Sequence, residues 1–146
     1  FVFLKLIMEN KQTYINLFKL VDKLKSSDEP KRKYEYILWL GKKLEVPNNT
    51  IFIPENKVNG CVSEVFVKAS YKEGKLYWEG YSDALITKGL LAFLISGMNA
   101  LTPKEVVNLN SQFIEDTGLK ASLTPSRSNG FLNILLKMKS QANEFL

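Results

Sequence analysis

The chain has no histidine and a single cysteine among 146 residues. Without histidine it lacks the side chain that ordinarily trades protons near neutral pH. Without a second thiol it cannot close an internal disulfide, so its fold needs no oxidising compartment. The same shortage excludes a cysteine-built zinc site, and no metal is expected. Purely apolar runs stop well short of the roughly 18 residues that a membrane span requires.

What is present is ordinary for a globular domain: 45 % apolar and 24 % charged residues. The length suits one domain over residues 1–146, with a core of its own. A net charge of +5 and a pI of about 9.2 suggest acidic partners. Apart from Lys31-Arg32-Lys33 and Lys42-Lys43 the cations are scattered, the pattern of solvated helix faces. Neither nucleic acid nor a membrane is therefore expected as a partner. The apolar run Phe1 to Met8 does not begin with methionine. It reads as a leader remnant or N-terminal extension over residues 1–9, or as an element that docks on the core.

Helical spacing runs from about residue 10 to 25, where Tyr14, Phe18 and Val21 are backed by Leu17, Leu20 and Leu24. Ser26-Ser27-Asp28-Glu29-Pro30 stops it and starts a second amphipathic helix to about Leu44, with Tyr34, Ile37, Leu38 and Gly41 on one face. Residues 46–61 form a long connection, and its delivery of Cys61 favours a functional, mobile loop. Val65, Val67, Ala69 and Tyr71 then alternate with Glu64, Phe66, Lys68 and Ser70. With a turn at Glu73-Gly74 and a second alternation through Leu76, Trp78 and Gly80, this predicts an antiparallel hairpin.

Ser82 and Asp83 suit the cap of a helix from Ala84 to about Met98, apolar almost all round and so buried. Gly89 within it would allow close packing against the sheet. Thr102-Pro103-Lys104-Glu105 matches a capping box, opening a short helix to Leu109 and a further turn or two to Gly118. Thr124-Pro125 opens the last helix, with Phe131, Ile134, Leu135, Met138, Ala142 and Phe145 on one stripe. The order predicts an α+β domain, a small antiparallel β-sheet packed against several α-helices.

Cys61 follows Gly60 in the polar turn Val58-Asn59-Gly60-Cys61-Val62-Ser63, not in an apolar stripe. Lone cysteines are commonly small buried hydrophobes, but here glycine lets the backbone turn sharply and project the sulfur. A thiol with a pKa near ~8.5 is only slightly ionised at neutral pH, so a working cysteine needs cations or amide donors nearby. Lys57, Lys88 and Arg127 are the candidates. A cysteine hydrolase would want a histidine; its absence points to a thiol that receives a group activated elsewhere. Arg127 lies near a helix start, where a cation opposes the dipole, which predicts a specific partner such as a carboxylate. Lys88, inside the buried helix, needs a route to solvent or a counter-charge, for which Asp83 is a candidate. Nothing around it resembles a cofactor site.

Three ordered stretches carry a family resemblance. Gly60-Cys61-Val62-Ser63-Glu64-Val65-Phe66 resembles the Gly-Cys-Gln-Ser-x-Val-Trp loop and strand of the SufE family. Ser82-Asp83-Ala84-Leu85-Ile86-Thr87-Lys88-Gly89-Leu90 resembles its Ser-Asp-x-x-Ile-x-Lys-Gly-Leu helix start. Leu123-Thr124-Pro125-Ser126-Arg127-Ser128-Asn129-Gly130 resembles its Leu-Ser/Thr-Pro-Ser-Arg-x-x-Gly start. Val62 stands where the family usually has a glutamine or glutamate, Phe66 replaces a tryptophan and Ser122 a histidine.

The resemblance implies a sulfur acceptor that takes persulfide sulfur from a pyridoxal-phosphate-dependent, SufS-type cysteine desulfurase onto Cys61. It also implies stimulation of that enzyme and delivery to a SufB-containing iron–sulfur scaffold. Gly60, Ser63, Asp83, Lys88 and Arg127 would line the site or its docking side. The chain itself would need no cofactor and act as a monomer or weak homodimer. The related IscU scaffold needs several cysteines, so cluster assembly on this chain is not expected. Lysine- and asparagine-rich composition suits a plastid stroma, with a bacterial cytoplasm as the alternative. The rival reading is a non-catalytic basic binding module with an incidental cysteine.

Overall fold

A computed structural model describes the backbone of residues 2–146 and the side chains of all of these except 5–10. The leader expectation for residues 1–9 falls largely outside the described side chains. The helix expected over 10–25 is two: α1 (Val2–Thr13) and α2 (Ile15–Lys25). The break is Tyr14, whose φ of −107° and ψ of 39° leave helical space. Its ring is buried and its hydroxyl donates to the Glu105 carbonyl at 2.8 Å. A distant tertiary anchor thus outweighs one residue of helix propagation.

Helix α3 (Pro30–Lys42) opens on its proline and buries Ile37, Leu40 and Gly41. The long connection after it has structure of its own, with 3₁₀ turns at Asn49–Ile51 and Pro54–Asn56. Buried Asn56 donates through Nδ2 to the Ile51 carbonyl at 3.1 Å. Val58 N–H donates to Val65 O at 2.9 Å, so the turn that carries the thiol starts from an anchored base.

Strands β1 (Val65–Lys72) and β2 (Lys75–Ser82) pair antiparallel in the register Val65↔Ser82 to Lys72↔Lys75. Glu73 and Gly74 both have positive φ, 51° and 81°, the two-residue turn whose twist matches a hairpin. The predicted alternation holds for Val65 and Val67, but Phe66 is buried as well. Phe52 forms T-shaped ring contacts with both Phe66 and Tyr81, at centroid distances of 5.3 and 5.0 Å. Tyr71 does not join the core; it is exposed and stacks on Phe145 at 5.4 Å.

Helix α4 (Leu85–Met98) is buried almost all round, as its composition predicts. A Cβ on Gly89 would lie 2.2 Å from the Ile37 carbonyl oxygen. The close approach at Gly89 is therefore to α3, not to the sheet. Gly80 on β2 serves the sheet side, where a Cβ would meet Leu91 Cδ2 at 2.5 Å.

Helix α5 (Pro103–Asn108) carries both arms of the capping box: Glu105 N–H donates to Thr102 Oγ1 at 3.1 Å and Thr102 N–H to Glu105 Oε1 at 2.9 Å. Helix α6 (Gln112–Asp116) follows, then a 3₁₀ turn at Leu119–Ala121 behind left-handed Gly118. Helix α7 (Pro125–Asn143) buries Phe131, Ile134, Leu135, Met138 and Ala142; Phe145 falls beyond its end.

Both outer edges of the two-stranded sheet are occupied over part of their length. On β1, Gln141 donates through Nε2 to Val67 O at 2.8 Å and accepts from Ala69 N–H at 2.9 Å. On β2, Leu76 N–H donates to Leu101 O at 2.8 Å, and Trp78 N–H to Asn99 Oδ1 at 3.0 Å.

Candidate functional site

Three pieces of chain meet at the thiol: the turn at 58–63, the start of α4 and the first turns of α7. Gly60 has φ +80°, a conformation glycine adopts without steric cost. It is also crowded, since a Cβ there would lie 2.6 Å from Asn133 Nδ2. That amide donates to the Gly60 carbonyl at 3.1 Å and ties the turn to α7. Cys61 is partly buried against the core, and its Sγ–H donates to the Gly130 carbonyl at 3.8 Å, a long, weak bond.

Arg127 reaches across the site. Its Nη1 donates to Ser63 Oγ and, at 2.8 Å, to Thr87 Oγ1. The two hydroxyl oxygens are 3.5 Å apart. Sequence reasoning expected a carboxylate here, but the acceptors are neutral. Among the described residues the ion pair present joins Arg32 and Glu29, and none involves Arg127. The guanidinium charge is therefore not cancelled locally, and its field reaches the sulfur. Burial pushes the Cys61 thiol above its ordinary value, and Arg127 beside it pulls part of the way back. The thiol rests protonated at neutral pH. Of the three cations named from sequence, Arg127 is the one that bears on it.

Asp83 does not cap α4. The N-cap is Ala84, with no side-chain cap, and Ser82 Oγ accepts from Ala84 N–H at 3.3 Å. Asp83 Oδ1 instead accepts from Glu64 N–H at 3.0 Å, while Asp83 N–H donates to Glu64 O at 3.3 Å. That reciprocal clip fastens the far end of the cysteine turn. Nor does Asp83 pair with Lys88, which is half-buried and forms no ion pair among the described residues. Exposed Val62 and Leu85 flank the site with apolar surface. Among the described residues no three cysteine, aspartate or glutamate side chains gather as a metal site.

Sequence reasoning missed Thr87, Gly130 and Asn133. Two signals were available. Thr87 is a polar residue in a helix buried almost all round, and buried polar groups have partners. Arg127, Gly130 and Asn133 recur every third residue, which puts them on one face of a helix.

The sequence profile of SufE, the Fe-S metabolism associated domain, matches residues 18–142. An uncharacterized SufE-like protein of Synechocystis is 48 % identical over 144 residues, 99 % of this chain and 91 % of its own. The cysteine desulfuration protein SufE of Plasmodium falciparum is 33 % identical over 138 residues, 86 % of this chain. The chain spans only 55 % of the Plasmodium protein's length. A solution structure of a hypothetical protein from Thermus thermophilus shares the fold, with a TM-score of 0.76 at 22 % identity over 88 % of this chain and 94 % of that one. With a glycine-supported thiol, an arginine across from it and a profile match over most of its length, this chain belongs to the SufE family.

Proposed function

We propose that the chain accepts sulfur as a persulfide on Cys61 from a pyridoxal-phosphate-dependent, SufS-type cysteine desulfurase. The observation that carries this is an uncompensated guanidinium held beside the sole, partly buried thiol, with no proton-shuttling neighbour. Such a site suits an incoming group that another protein has already activated. The Cys61 thiolate attacks the outer sulfur of the donor persulfide, a new S–S bond forms on Cys61, and the donor's inner sulfur leaves as a thiolate. The proton lost from Cys61 balances the one the donor thiolate regains, and no external oxidant is needed.

Removal of that sulfur stimulates the desulfurase, and the carried atom goes on to a SufB-containing iron–sulfur scaffold. Gly60, Ser63, Asp83 and Lys88 belong to the docking side, where exposed Val62 and Leu85 offer the apolar contact that anchors protein interfaces. The chain acts as a monomer or weak homodimer. Its compartment is a plastid stroma, with a bacterial cytoplasm as the alternative; similarity to a Synechocystis protein suits both.

The test is mass spectrometry after incubation with a desulfurase, cysteine and pyridoxal phosphate. Wild type should gain one sulfur atom and Cys61→Ser none. No gain on wild type sinks the reading.

A further inference from the structure

Thr87 stands on a helix buried almost all round and is itself 3 % exposed. Its one strong contact is Arg127 Nη1 at 2.8 Å. The same nitrogen donates to Ser63, two residues beyond the thiol. Three segments therefore meet at one atom, and they differ in burial. Ser63 rides on the half-exposed cysteine turn, whereas Thr87 is buried in the first turn of the packed helix α4, so Thr87 is the fixed post. A guanidinium is a planar fork on a long stem, and its direction is set by the acceptors it finds.

The chemistry of the acceptors matters as much as their place. Both are neutral, so they orient the cation without cancelling it. Two hydroxyls carry two protons, and the 3.5 Å contact between their oxygens can use only one. The other has no acceptor among the described residues. The cluster thus keeps an O–H donor in reserve next to a cation.

We propose that Thr87 is a positioning residue for sulfur acceptance: with Ser63 it holds the Arg127 guanidinium toward Cys61, making a cationic, donor-bearing seat for an anionic sulfur, thiolate or persulfide. The inference rests on Cys61 being the sulfur-accepting group. The charged groups on the segments packed against the thiol are Glu55, Lys57 and Glu64 on the loop, Asp83 and Lys88 at α4, and Arg127, Lys137 and Lys139 on α7. Asp83 is committed to the Glu64 backbone. Of these groups, Arg127 is the one whose field reaches the sulfur.

The experiment alkylates Cys61 in the purified chain with neutral iodoacetamide and with anionic iodoacetate across a pH series. Thr87→Val keeps the branched shape and loses the hydroxyl; Thr87→Ser restores it. In Thr87→Val the midpoint of the pH profile should rise by about half a unit, slowing iodoacetamide about threefold at neutral pH. The iodoacetate-to-iodoacetamide rate ratio should fall about twofold or more as the cation swings away. Thr87→Ser should return both to wild type. A Thr87→Val protein with a wild-type melting temperature, an unchanged midpoint and an unchanged ratio overturns the proposal. If Thr87→Val does not fold, Ser63→Ala gives the same two readouts from the loop side, and no change there overturns it equally. No desulfurase is present, so failure here leaves sulfur acceptance standing. Conversely, a wild type that gains no sulfur from a desulfurase leaves the Thr87–Arg127 geometry standing.

Discussion

Cys61 is kept neutral by its burial against the core, and a carbonyl acceptor on α7 favours the same form. Arg127 opposes both without winning, so the thiol's pKa lies above its usual range. Because the folded state holds this proton more tightly than the unfolded chain does, the group's contribution to stability is present at neutral pH. It is lost as pH climbs through the raised value. Alkylation of wild type should accordingly show a midpoint above that of a free thiol. Arg127→Ala should move it higher still, slow alkylation at neutral pH and weaken desulfurase stimulation, with the circular dichroism spectrum unchanged. A lower midpoint in that variant would mean the guanidinium does not act on the sulfur. At this scale the sequence displayed Gly60, Cys61 and Arg127 plainly, through turn chemistry and a misplaced helix-start cation. It hid the partners, because Ser63 and Arg127 are 64 positions apart and Asp83 reaches back 19 positions to Glu64.

Among the elements, the crossing of α3 and α4 is set by two facing glycines. A Cβ on Gly41 would lie 2.9 Å from Gly89 N, and one on Gly89 2.6 Å from Ile37 Cγ2 as well as against its backbone. Backbone cannot step aside as a flexible side chain can. Gly89→Ala should therefore cost about 3 kcal/mol in urea unfolding, the upper part of the range for overpacking. Gly74→Ala is the control: it has open space but φ +81°, and should cost about 1 kcal/mol from backbone strain alone. Equal losses would show that α3 and α4 can move apart. Element starts were legible because they depend on local chemistry, as at Pro30, Thr102 and Thr124. The break at Tyr14 and the 3₁₀ turns of the long connection were not, since long-range burial and hydrogen bonding decide them. Gly89 was visible as a close contact, but sequence spacing could not say which neighbour it meets.

For the molecule as a whole, α4 is the hub on which sheet and helices converge, so we expect its halves to unfold together. The two tryptophans report on this. Trp39 on α3 is 47 % exposed with Lys43 Nζ 3.6 Å above its ring, whereas Trp78 on β2 is 6 % exposed. Fluorescence of Trp39→Phe and Trp78→Phe, each followed alongside far-ultraviolet circular dichroism of the same variant, should give coincident signals within each protein. Separate transitions would divide the chain into independent folding units. A hairpin of only two strands ordinarily offers two open margins on which a stray chain could add itself. Here Gln141 has taken one and the Asn99–Leu101 segment the other. Strand addition is thereby blocked at residues 67–69 and 76–78, which favours loop tips and helix starts as the points where a visiting protein engages. At those stretches the same cover works against templated fibre growth in a crowded solution of these molecules.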